Sequence, residues 1–297
     1  MKSFQYLAPI PVFDYVVPGN LQELFQALDV HGRKLSIVAG GTDLMIALKE
    51  RIITPEVVVD LGRLRKELGG ISSGGGVLRI GCLATFSQIE SSPLVARYAD
   101  ALRQAAANVG TLQIRSIATL GGNLATASPA ADSAPPLIAL GANVTLASGF
   151  GERKIPVQSL FTGPKRNGLR PGEIVSTIEI PATEDVWSSW TRAAVRNENV
   201  LSTVSVAVAS TIHDGTFGPS RVALGAVAPT PILAEKASVA MTWADATAQT
   251  AYSVAVLAAE DSKPISDIRA SASYRRRLVS VLTRRLILQL ISEVAVP

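Results

Sequence analysis

The chain has 297 residues, 47% of them apolar, enough to bury one large core or several smaller ones without a disulfide or metal staple. Its 28 basic and 24 acidic residues leave a net charge of +4 that no long run concentrates, which argues against a nucleic-acid partner. The single cysteine, Cys82, excludes an internal disulfide and any cysteine-ligated zinc or iron–sulfur site built from this chain alone, and the two distant histidines, His31 and His213, give little basis for a metal site or Ser–His–Asp chemistry.

Met1 to Tyr15 lacks a charged stretch followed by an apolar run, so no secretory signal is expected. No window reaches the roughly 18 apolar residues of a membrane span. A cytoplasmic location is the default, with export as the passenger of a signal-bearing partner left open. Leu35–Ala39 reads as a strand entering the tight turn at Gly40-Gly41, and Asp43–Lys49 as a short helix. Glu56–Leu61 is a second strand, and Leu78–Leu83 a third after the turn Ser73–Gly76. Leu94, Tyr98, Leu102, Ala105 and Val109 fall at helical spacing and predict one amphipathic helix over 94–109. Beyond Pro129, Pro135–Leu140 reads as helix, Asn143–Ala147 as strand, and Ile174–Ile180 as a strand stopped by Pro181. After a linker at Pro181–Asp185, three β segments are expected at 190–196, 204–212 and 221–228, with a hairpin turn at His213–Thr216. Two long helices are expected near 244–260 and 272–293. The β-then-α order points to a separate α+β domain.

Two glycine segments carry the chemistry. The first is Ile37-Val38-Ala39-Gly40-Gly41-Thr42-Asp43-Leu44, and the second centres on Thr119-Leu120-Gly121-Gly122-Asn123. Each is read as two glycines after a β-like run. Glycine allows a sharp turn and lets an anion approach the main-chain N–H groups, and Thr42, Thr119 and Asn123 can add donors. Two such loops suit a diphosphate. Neither matches G-x-x-x-x-G-K-[ST], and no G-x-G-x-x-G follows a strand, so ordinary turns remain the alternative on spacing alone. Asp132, in the Pro-rich stretch 127–136, could accept hydrogen bonds from a ribose or an adenine amine, or cap the helix near Pro135.

Together these segments resemble the FAD-binding medium subunit of the molybdenum hydroxylases. This is the family of xanthine dehydrogenase, aldehyde oxidoreductases, carbon monoxide dehydrogenase and 4-hydroxybenzoyl-CoA reductase, and the likeness is strongest to the bacterial xanthine dehydrogenase type. It rests on Ala39–Leu44, Thr119–Asn123, Ala127-Ser128-Pro129-Ala130-Ala131-Asp132-Ser133, Phe161–Pro164, Arg170–Val175, Val227–Pro231 and Arg269–Arg275, in the family's order over essentially the whole chain. The resemblance implies a FAD-binding domain at 1–181, made of two α/β subdomains (about 1–60 and 61–181). A C-terminal α+β domain would follow at 187–297, with a three-stranded antiparallel sheet plus helices. Ile37–Leu44 and Thr119–Asn123 would wrap the FAD pyrophosphate, and Asp132 would hold the adenosine end. Val109 and Val175 would line the cofactor, and Arg192 stands where many relatives place a Lys near the flavin ring. Relatives often carry an Asp where this chain reads Glu198-Asn199-Val200.

The function so implied is that of a FAD-carrying electron-transfer subunit. It would take electrons from two [2Fe–2S] clusters of a small subunit, beside a large molybdenum-cofactor subunit, and pass them to NAD or another acceptor. No side chain need act as acid, base or metal ligand. A self-sufficient FAD-dependent oxidase or reductase and a non-catalytic nucleotide-binding subunit are the alternatives. Elsewhere, Cys82 reads as a buried small apolar residue, His31 as a helix-end or loop residue and His213 as an exposed turn residue. Trp187 and Trp190 read as packing residues. Arg275–Arg277 with Arg284 and Arg285 form either a solvated face or a docking surface for an acidic partner.

Overall fold

The computed structural model describes residues 10–196 and 200–294; the expectations on Met1–Pro9 and on Glu198 and Asn199 lie outside them. Three sheets organise the chain. The first is parallel, with Val57–Asp60 between Asp14–Val16 and Leu35–Val38. Such pairing needs crossovers. One is the helix Leu21–His31, capped by the Asn20 side chain and buried through Leu24 and Leu28. The other is the glycine turn with the helix Leu44–Lys49.

The second sheet is antiparallel, in the order Ile71–Gly74, Val77–Gly81, Ile174–Pro181, Asn143–Ser148, Gly151–Pro156. Its first hairpin turns through Gly75 and Gly76, both at positive φ. Leu78, Ile80, Ile178, Ile180, Val144 and Leu146 point to one buried face, as alternation requires. Arg79 and Glu179 pair across the other face.

The expected helix over 94–109 is two helices, Pro93–Tyr98 and Asp100–Ala107, separated by Ala99 at φ −149° and ψ 48°. The break lets Val95, Ala99, Ala101 and Leu102 all reach the core. The N–H of Ala101 is satisfied by Ser188 Oγ at 3.2 Å.

The third sheet has four antiparallel strands, Trp187–Ala193, Val204–Ser210, Arg221–Gly225 and Ile232–Leu233. The three expected strands are present. The first begins earlier and ends sooner than its apolar run suggested, and a fourth strand of two residues, too short to show a period, joins the edge. The turn at Asp214-Gly215 has both residues at positive φ and closes a small hairpin. The helix read as 244–260 spans Ala248–Asp261 and is preceded by a separate helix, Glu235–Met241. The last helix, Ala272–Val294, agrees with its periodicity.

Two hydrophobic clusters meet at this sheet. Val204, Val206 and Val208 face the C-terminal helices, packed with Phe217, Val254 and Leu286. Ala207, Ala209 and Ala223 face the larger cluster built on the first two sheets.

Candidate functional site

The two glycine segments lie back to back. A Cβ on Gly40 would sit 2.1 Å from the Ile117 carbonyl oxygen, so only glycine permits this approach. Gly41 has φ +72°, a conformation other residues adopt at a cost. Its carbonyl starts the following helix by accepting from Met45 N–H at 2.9 Å. The side chains tie the segments again, since Thr126 Oγ1 donates to Asp43 Oδ2 at 3.0 Å.

The second segment differs from its expected form. The residues before it are the helix Leu112–Ile117, and Gly121 and Gly122 lie in the first turn of the helix Leu120–Thr126. Thr111 and Thr119 act as N-caps, and this local chemistry outweighs the β-like composition of the run. Its N–H groups are already spent. Leu120 N–H donates to the Ala84 carbonyl, Gly121 N–H to the Cys82 carbonyl and Asn123 N–H to the Thr119 carbonyl. Gly122 N–H donates to Thr119 Oγ1 at 3.1 Å. In the first segment the opposite holds. Among the described residues, the N–H groups of Gly40, Gly41, Thr42, Asp43 and Leu44 meet no acceptor.

The glycines of the second segment have different tasks. A Cβ on Gly121 would lie 2.5 Å from Cys82 Cβ, so this glycine lets the helix press on the core. A Cβ on Gly122 would meet only its own cap, Thr119 Oγ1, at 2.9 Å. Leu120 is fully buried and Thr119 nearly so. Asn123 Oδ1 accepts from Ser133 Oγ at 2.7 Å, which leaves its amide nitrogen as the outward donor.

Asp132 is buried and fully engaged. Ser202 Oγ donates to its Oδ1 at 2.6 Å, and Arg192 Nη1 to its Oδ2 at 3.1 Å. Both carboxylate and guanidinium side chains are only 7% exposed. Burial pushes the Asp132 carboxyl up to about 6, against the opposing pull of Ser202 and Arg192. The two residues read from sequence as opposite ends of a cofactor site are thus direct partners. Asp132 does not cap the helix Ala134–Ala139, whose N-terminal side chain makes no capping bond.

Val109 is half-buried at the edge of the larger cluster and Val175 is buried within it. Ile37, Val38 and Ala39 are half-buried on an edge strand and its turn. Thr126, Ser133 and Ser202 were not singled out. Thr126 follows the glycine motif and Ser133 lies within the Pro-rich stretch, but Ser202 has no sequence signal, since only folding carries it across 70 residues to Asp132. Burial raises the Cys82 thiol to about 12, consistent with a packing role. Among the described residues, no group of three His, Cys, Asp or Glu is placed to hold a metal. No helix among them is long and apolar enough to cross a membrane.

Residues 11–183 match the FAD binding domain in molybdopterin dehydrogenase, and residues 190–290 the CO dehydrogenase flavoprotein C-terminal domain. The chain is 31% identical over 280 residues to the xanthine dehydrogenase FAD-binding subunit of Escherichia coli O157:H7, covering 93% of this chain and 96% of that one. It is 28% identical over 276 residues to the carbon monoxide dehydrogenase medium chain of Hydrogenophaga pseudoflava, with 93% and 96% covered. Among solved structures, quinoline 2-oxidoreductase from Pseudomonas putida 86 superposes with a TM-score of 0.90 at 30% identity, covering 96% of this chain and 99% of that one.

Proposed function

Because the chain belongs to the FAD-binding family of the molybdopterin dehydrogenases, with FAD as its cofactor, we propose that it is the electron-exit subunit of a heteromeric molybdenum hydroxylase. Its partners on this reading are a large subunit with the molybdenum cofactor and a small one with two [2Fe–2S] clusters. When bound, FAD would supply the redox chemistry that links the cluster partner to NAD or another acceptor. The protein's part is to bind, orient and polarise.

The observation that carries this reading is the unequal pair of glycine segments. Ile37–Leu44 offers five adjacent N–H groups without acceptors, the donor set a pyrophosphate needs. Thr119–Asn123 contributes a side-chain-free wall at Gly122 and the Asn123 amide rather than its main chain. Val109 and Val175 supply apolar lining. Asp132 and Arg192 act as a unit, the carboxylate fixing the guanidinium close to the cofactor. We place the FAD-binding domain at 1–181, with subdomains near 1–60 and 61–181, and the C-terminal domain at 187–297, in the cytoplasm.

The purified chain should show flavin absorption at about one equivalent. Substrate should bleach that flavin in the assembled complex and leave it unchanged in the isolated chain. A colourless chain, or turnover by the chain alone, overturns the assignment.

A further inference from the structure

The outer side of the last helix carries a pattern that the flavin site leaves unused. Its inner side packs through Val279, Leu282, Leu286, Ile287 and Leu290. On the opposite side Tyr274, Arg277, Val281 and Arg284 recur at spacings of three, four and three, one continuous stripe of a helix, which ends where Leu288 and Ile291 pack against the C-terminal core. Tyr274 is 54% exposed, Arg277 and Arg284 are exposed, and Val281, Leu288 and Ile291 are half-buried. Exposed Arg276 and Arg285 flank the stripe.

A solvated helix face ordinarily interleaves acids and bases, so that pairs four apart offset one another. This helix has no acid before Glu293. That carboxylate is engaged by the Trp187 indole and by Gln289. Among the described residues, Arg276, Arg277, Arg284 and Arg285 form no ion pair. Four arginines without lysine, set between a tyrosine and branched apolar side chains, have the composition of an interface centre rather than of a nucleic-acid footprint. Each guanidinium fork can bind a carboxylate through two parallel hydrogen bonds.

We infer that the Tyr274–Arg284 stripe docks an acidic, partly apolar surface of a fellow subunit. The inference rests on the proposed heteromeric assembly and names the face of this chain that such assembly uses. Charge complementarity selects the occupant, because a second copy of the same arginine stripe would be repelled.

The test is assembly of the flavin-loaded chain with its partner subunits at low and high salt. Arg277→Glu with Arg284→Glu should weaken assembly by about tenfold or more and flatten its salt dependence, with flavin content of the isolated chain unchanged. Arg277→Gln with Arg284→Gln should give a smaller loss in the same direction, and serves if reversal disturbs folding. Wild-type assembly by both pairs overturns the inference. So does a result in which the substitutions spare assembly but abolish binding to a DNA oligonucleotide or to vesicles of anionic phospholipid. A wild-type chain that holds flavin yet assembles with no partner overturns the subunit reading itself.

Discussion

Gly121 and Gly122 are neighbours with opposite reasons for being glycine. At Gly121 an added methyl meets Cys82 Cβ at 2.5 Å and its carbonyl oxygen at 2.8 Å, both held by the core. Gly121→Ala should cost about 1–3 kcal/mol in denaturant unfolding, as overpacking does. Gly122→Ala meets only the Thr119 cap, so it should cost less than Gly121→Ala, and it should lower flavin affinity, measured by titration of the stripped protein. Asp132 gives a pH prediction. Its carboxyl, raised to about 6 against 3.8 in the unfolded chain, binds its proton more tightly when folded. That contribution to stability is complete below the unfolded value and disappears as pH rises through the folded one. Asp132→Asn removes this dependence. Its stability relative to the parent should therefore improve by up to about 3 kcal/mol as pH rises from below 3.8 to above about 6. A constant difference would show that the carboxyl does not titrate in this window.

Among the elements, the last helix shows how one sequence run divides its tasks. Arg275, Arg276 and Arg277 read alike, yet Arg275 is 2% exposed and its guanidinium bonds the carbonyls of Thr203 and Ala226 and the carboxylate of Asp267. Burial works against the charge on Asp267. Hydrogen bonds from Arg269, Arg275 and the Ala270 N–H outweigh it and hold that carboxyl well below its usual range. Arg275→Leu strands these acceptors and should cost about 3–5 kcal/mol in unfolding. Arg276→Ala, at an exposed position, should fall within about 0.5 kcal/mol of the parent. The strand Val204–Ser210 divides its tasks by pleat instead. Its valines serve one core and its alanines the other, so a continuous apolar run marks a strand buried on both faces.

Across the whole molecule, the two glycine segments come from the first parallel sheet and from the helices over the second, while Asp132 is reached by Arg192 from the third sheet and by Ser202 from the loop before the strand Val204–Ser210. A ligand that binds only this assembled form raises stability by mass action. Added FAD should raise the melting temperature of the stripped chain, by an amount equivalent to about 2.7 kcal/mol at a hundred times its dissociation constant. An unchanged melting curve at saturating FAD would contradict the site.

What could be read along the chain was what neighbours in sequence decide. Strands follow from alternation and turn chemistry. The glycine pairs follow from backbone freedom, and the family from motifs in a fixed order. Folding decided what depends on partners far apart. The β-like run before Gly121 is the exception, a local one, since Thr111 caps it as the helix Leu112–Ile117. The second segment's N–H groups were spent on Cys82 and Ala84, which leaves the first segment as the donor. Asp132 and Arg192, 60 residues apart, became one buried pair. Sequence fixes the kinds of group available, and their free or satisfied state is settled only when distant backbone and side chains compete for the same hydrogen bonds.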